Sequence, residues 1–167
     1  MKRTPSRSRA GNVEGAIVAA FFDIANHLGR RGEHLAQRGG LTTQQWLILL
    51  EVGGDESFRR ARGAAARARE GILPSEIADG RGVTRATVSA VVTQLQRRGL
   101  VEQQGDAEDK RRRRLVITAE GRRVLDGLEP ERVSANQRLL QRLTAPQRAE
   151  LLRGLQECLR GLTTDAT

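Results

Sequence analysis

Tyrosine is absent from this sequence, and the whole aromatic content is Phe21, Phe22, Trp46 and Phe58. So few rings make no platform on which unpaired bases could stack. Cysteine occurs once, at Cys158. A single thiol forms neither an intrachain disulfide nor a thiolate metal cluster, and it fits a reducing compartment, the cytoplasm. Lysine occurs only as Lys2 and Lys110, so nearly all of the 29 basic residues are arginine. The apolar stretch from Ala16 to Phe22 is bracketed by Glu14 and Asp23, too closely for a secretory or membrane segment. No Gly-rich phosphate loop follows a strand, and no nucleophile is paired with a histidine. The chain therefore reads as a non-enzyme with no cofactor.

What is present is positive charge. The 167 residues carry a formal net charge of +9, which favours a polyanionic partner, nucleic acid before membrane surface. The charge is also concentrated: residues 81 to 114 hold nine cations against four acids. Contact with a phosphate backbone through such a segment would be strongly salt-dependent.

That segment lies within residues 74 to 118, around which the rest is organised. Pro74 suits the first turn of a short helix, where its missing N–H is not needed. Gly80 and Gly82 supply a turn. Thr84 then caps a second helix with its hydroxyl. Val88, Val91, Val92 and Leu95 form a one-sided apolar stripe along it. Its other face presents Arg85, Ser89, Ala90, Thr93 and Gln96, and Gly99 ends it. Leu100 to Gln104 reads as a strand, Gly105 and Asp106 open a turn, and Arg112 to Ile117 returns as a second strand. A helix fits the major groove and reads base edges there. A cationic hairpin beside it can reach backbone phosphate or the adjacent minor groove.

Four ordered pieces of this stretch resemble the MarR family of bacterial transcription regulators. They are Pro74-Ser-Glu-Ile-Ala78, Gly82-Val-Thr-Arg-Ala-Thr-Val-Ser89, Arg98-Gly-Leu-Val101, and Asp109-Lys-Arg111 with Leu115-Val-Ile-Thr-Ala-Glu-Gly121. Upstream, Leu41-Thr-Thr-Gln-Gln-Trp-Leu-Ile-Leu-Leu50 resembles the family's second helix. The likeness runs from about Val13 to Leu162. It implies a mainly α fold with a small β-hairpin wing: a winged helix-turn-helix core flanked by N- and C-terminal dimerisation helices. It also implies a homodimer, and a small, often aromatic or phenolic, effector held between those helices and the core. Two positions depart from the pattern. Arg81 stands where the family has an apolar residue before the turn glycine, which predicts poorer packing of that helix end. Ala90 stands where a basic residue is common, which predicts one contact fewer to DNA.

Residues 1–11 read as a disordered basic tail, either a solvated end or an arm on DNA phosphate. Residues 12–167 read as one domain, with dimerisation helices at 12–38 and 119–162 and the winged core at 41–118. In the first helix, Val13, Ile17, Phe21, Ile24, Leu28 and Leu35 recur at mostly three- and four-residue steps. His27 and His34 share a face there and suit a buried or interface position better than a metal site. Thr42 with Gln45 forms a capping box for a largely buried helix containing Trp46. An Arg/Ala-rich insert at 55–71 suits a short helix or a flexible loop, and could touch DNA backbone. Thr118 caps a further helix that Pro130 should kink or interrupt. Thr144 and Gln147 cap the last helix. Leu151, Leu152, Leu155, Leu159 and Leu162 make it amphipathic, with Cys158 packed beside the stripe.

The sequence thus predicts a homodimeric, sequence-specific regulator of pseudo-palindromic double-stranded DNA, in the cytoplasm and associated with the nucleoid, without membrane contact. The expected role is a repressor released by a small-molecule effector. Thr84, Arg85, Thr87, Ser89 and Thr93 are the candidates for the major groove. Thr87 could touch a thymine methyl or phosphate, or instead bond Thr84 at the cap. Asp109, Lys110, Arg111, Arg112 and Arg113 are the candidates on the wing, with Asp109 orienting Arg111. His27 and Trp46 are the candidates for an effector pocket. Two other readings use the same residues: a non-specific architectural DNA-binding protein, and a degenerate winged helix that binds protein.

Overall fold

In the computed structural model, the described residues are 12–55, 71–105 and 112–164. They form six helices and one hairpin: α1 (Val13–Arg38), α2 (Thr43–Val52), α3 (Pro74–Arg81), α4 (Arg85–Arg97), β1 (Val101–Gly105), β2 (Arg113–Ile117), α5 (Ala119–Leu140) and α6 (Ala145–Thr164). The basic tail and most of the insert lie outside the described residues.

The caps expected from sequence open α2, α4 and α5. Thr42 Oγ1 accepts from Gln45 N while the Gln45 side chain accepts from Thr42 N. Thr84 Oγ1 accepts from Thr87 N, and Thr118 Oγ1 from Gly121 N. Glu76 completes the start of α3 by accepting from Leu73 N at 2.8 Å. These bonds satisfy amide groups that a helix start leaves free. The α3–α4 turn uses Gly82, in the left-handed region at φ +62, whereas Gly80 lies inside α3.

The hairpin is antiparallel, with Val101 opposite Ile117 and Gly105 opposite Arg113. Ile72 adds a bridge on the far side of β2, exchanging two backbone bonds with Leu115. Leu49, Ile77, Val88, Leu95 and Leu115 are fully buried at the centre of one core. The end of α1 enters this core through Leu35 and Ala36, and α5 through Leu125 and Leu128. Trp46 is buried there, with its ring facing Gly32 of α1. Gly121 allows the closest approach in the fold. A methyl group there would stand 2.2 Å from the Leu100 carbonyl oxygen, so α5 could not start where it does with a larger residue.

Several expectations are corrected. Arg81 does not weaken the end of α3: its guanidinium pairs with the buried Glu51 of α2 at 2.7 Å. A long cation takes the place of an apolar residue there with a carboxylate partner in the adjacent helix. Pro130 does not interrupt α5, which runs from Ala119 to Leu140 with the proline inside. Neighbouring contacts hold that helix along its length. Arg38 pairs with Glu131, Arg31 donates to Asn136, and Arg132 pairs with Asp55 at 2.8 Å. Bonding to Glu129 holds Arg132 above the ordinary arginine pKa, against the opposing effect of its burial. In the single chain Cys158 is exposed rather than packed, and His27 and His34 are exposed rather than buried.

Candidate nucleic-acid interface

The candidate recognition surface is the outer side of α4. Its inner side is fixed by the burial of Val88, Val91, Val92 and Leu95. That leaves Thr84, Arg85, Ser89 and Thr93 exposed on the outside, with Thr87 half-buried at the edge. Two of these hydroxyls are already engaged. Thr84 Oγ1 and Thr87 Oγ1 lie 2.8 Å apart at the cap, and Thr93 Oγ1 donates to the Ser89 carbonyl at 2.9 Å. Thr87 thus keeps its methyl group, rather than a free hydroxyl, for an approaching ligand. Arg85 makes no ion pair among the described residues, so its five donors are available.

Two long-range bonds hold the C-terminal end of the helix. Gln45 of α2 donates to Gln94 across the helix pair at 2.8 Å. Arg98, just past the end of α4, donates to the Gly40 carbonyl at 2.6 Å and so ties α4 to the α1–α2 turn. Sequence reading had singled out neither bond. Both are long-range, and no local pattern announces them.

On the hairpin, Arg112 and Arg113 are exposed. Their neighbour Arg114 is different: it is buried, donates to the Gly71 carbonyl at 3.1 Å and lies 3.8 Å from Glu76. Of the described arginines of this run, Arg112 and Arg113 are thus exposed, whereas Arg114 is a structural strut. Asp109, Lys110 and Arg111 lie outside the described residues.

Of the two candidates for an effector pocket, His27 lines a concavity and Trp46 is buried in the core. Among the described residues, two concavities bear on the candidate sites. One, of about 550 Å³, lies between α1, α2 and α4 and is lined by Gln37, Leu41, Thr42, Thr87, Ala90 and Gln94, among others. The other, of about 310 Å³, is lined by His27 with residues of α1 and the end of α5. Trp46 lines neither. Among the described residues no group of three or more His, Cys, Asp or Glu is placed to hold a metal ion. No helix of the described residues is long and apolar enough to cross a membrane.

Comparison with known proteins points one way. A family model described as "MarR family" matches residues 39–112, from the end of α1 to the start of β2. Transcriptional regulator HosA of Escherichia coli O127:H6 is 41% identical over 64 residues, covering 38% of this chain and 47% of HosA. That match spans about half the length of the relative. An uncharacterized protein of Mycobacterium bovis, Mb2034c, is 33% identical over 123 residues, covering 74% of this chain and 76% of its own. Among solved structures, the MepR–DNA complex of S. aureus superposes with a TM-score of 0.68 at 20% identity, over 86% of this chain and 94% of that one. At that identity the likeness is one of fold.

Proposed function

The chain belongs to the MarR family, and from that premise we propose that it is a homodimeric transcription regulator that reads a pseudo-palindromic site in double-stranded DNA. The carrying observation is the division of α4 into a fully buried apolar face and an exposed face bearing Arg85 and Ser89, beside a hairpin with Arg112 and Arg113 exposed. A helix so mounted enters the major groove, where arginine pairs with the O6 and N7 of guanine. The hairpin cations meet phosphate or the minor groove, and Arg111, oriented by Asp109, acts with them.

Dimerisation is supported by apolar surface outside the winged core. Val13, Ile17 and Phe22 of α1 and Leu152 and Leu162 of α6 are all exposed in the single chain. Continuous apolar faces of this kind mark interaction sites. A second copy would cover them and set two α4 helices on successive turns of one face of the duplex, about 34 Å apart. In this reading the protein is a cytoplasmic repressor, and a small effector lowers its DNA affinity by favouring another spacing of the two α4 helices.

Fluorescence anisotropy across a salt series tests the proposal, with the duplex from upstream of the protein's own gene beside a scrambled duplex. Preference for the upstream duplex by about 10³-fold or more near physiological salt is expected. Equal and steeply salt-dependent binding to both would replace this reading with architectural binding. No binding to either at low salt would point to a protein-interaction module.

A further inference from the structure

Helix α5 crosses from the winged core to the outer frame, and a proline stands at the crossing. Before it, Leu125 and Leu128 are buried in the core, and Gly121 lies close against the Leu100 carbonyl. After it, Glu131 pairs with Arg38 and Asn136 accepts from Arg31, both of α1. Pro130 has no N–H to offer the Asp126 carbonyl one turn back, and its ring crowds that carbonyl. A helix bends most readily at such a point. The angle there sets how the core, with α4, is carried on the frame.

The end of α2 lies against α5 on both sides of the proline. Arg122, before it, donates to the Gly53 carbonyl at 2.9 Å. Arg132, after it, reaches Asp55 at 2.8 Å. The side chains of Arg132 and Asp55 keep only 12% and 15% of their surface exposed, so solvent and salt screen the pair weakly. Glu129 grips the same guanidinium with both carboxylate oxygens, at 2.7 and 2.8 Å. A planar guanidinium held by paired bonds is fixed in direction as well as in place. The same end of α2 receives Arg81 of α3 at Glu51, and α3 leads through Gly82 into α4. Polar bonds thus run from the far half of α5, through the end of α2, to the helix pair that bears the candidate recognition surface. The pairs Arg123–Glu120 and Arg160–Glu157, by contrast, each lie within one helix and constrain no angle between helices.

We propose that Arg132, through Asp55, is a positioning residue that fixes the angle of α5 at Pro130 and so sets the half-site spacing the dimer accepts. The consequence for spacing rests on the regulator reading above; the braced joint within one chain does not. One base pair added or removed moves a half-site by about 3.4 Å along the duplex. A fixed angle therefore selects one spacing, and a freed angle tolerates several.

Two measurements on the full chain test this. The first needs no DNA. Nitroxides at Thr93→Cys of α4 and Gln137→Cys of α5, both exposed positions, report the distance from core to frame by pulsed electron resonance in a Cys158→Ser background. Dilution with unlabelled chain confines each spin pair to one copy. A single narrow distribution is expected for the parent, and a broadened or shifted one for Asp55→Asn. Asparagine has the shape of aspartate, and Arg132 keeps Glu129, so the variant retains a partner for the cation. The second measurement is anisotropy on the upstream duplex and on derivatives with one or two base pairs added or removed between its half-sites. The parent should bind about tenfold or more weakly away from its best spacing. Asp55→Asn should reduce that discrimination by about threefold or more, with binding to the scrambled duplex unchanged. The control Glu120→Gln, which breaks a pair inside α5, should match the parent in both readings. An unchanged distance distribution in Asp55→Asn overturns the joint, and so does an equal change in the control. A changed distribution with an unchanged spacing profile overturns the positioning role. A parent that prefers no duplex defeats the regulator reading, and the distance measurement still decides the joint.

Discussion

Helix α4 and the flanking helices carry the same kind of apolar stripe, yet the chain treats them differently. In α4, Val88, Val91, Val92 and Leu95 are all covered by α2, α3 and the hairpin. In α1, only Leu35 and Ala36 near its end are buried, while Phe22 keeps 67% of its surface exposed. In α6, Leu162 keeps 70%. One region finds its partners within residues 43–117; the other has an apolar face without cover among the described residues. An amphipathic period states that a face will be buried, and is silent on whether the partner belongs to the same chain.

The contrast can be broken or sharpened by substitution. The largest effect belongs to the core. Leu95→Ala should lower stability by roughly 2–5 kcal/mol, as the transfer and cavity costs of a buried leucine predict, and urea denaturation should give the same loss at every protein concentration. A frame that needs a second copy responds otherwise. Phe22→Asp with Leu152→Asp should raise the dimer dissociation constant by roughly a hundredfold or more, read by sedimentation; an unchanged dimer would remove the frame from the interface. On the DNA surface, Arg85→Ala should cost roughly 1–3 kcal/mol on the specific duplex and relax one position. Equal losses on scrambled DNA would end its role as a base reader. Arg111→Ala should weaken all duplexes alike and reduce the salt slope by about 1. The smallest effect is Leu162→Ser, expected to change the stability of the dilute monomer by no more than about 0.5 kcal/mol.

Local chemistry made much of the fold legible in advance. Thr42 with Gln45, Thr84, Thr118, and Thr144 with Gln147 act on groups three residues away, and Pro74 acts at its own position, so sequence alone finds them. The exposed positions of Arg85 and Ser89 followed from the valine stripe opposite them. What escaped was long-range. The Arg81–Glu51 pair spans 30 residues, and the Gln45–Gln94 bond spans 49. Arg114 read as one more member of a basic run, but it is buried against Gly71, 43 residues away. Pro130 looked like a break because its local cost is real; the pairs formed by Arg38 and Arg132 with their partners run alongside it.

By itself the sequence determined where helices begin, which face of each is apolar, and that positive charge gathers between residues 81 and 114. Those properties depend on neighbours within a turn or two, where the chain fixes the distance. Only the tertiary structure decided which arginines are struts and which are free to meet a ligand. It likewise decided that His27 shares a cavity with Arg138 and Arg142. A guanidinium has the same chemistry at every position; its role is set by what the fold brings within hydrogen-bond reach of it.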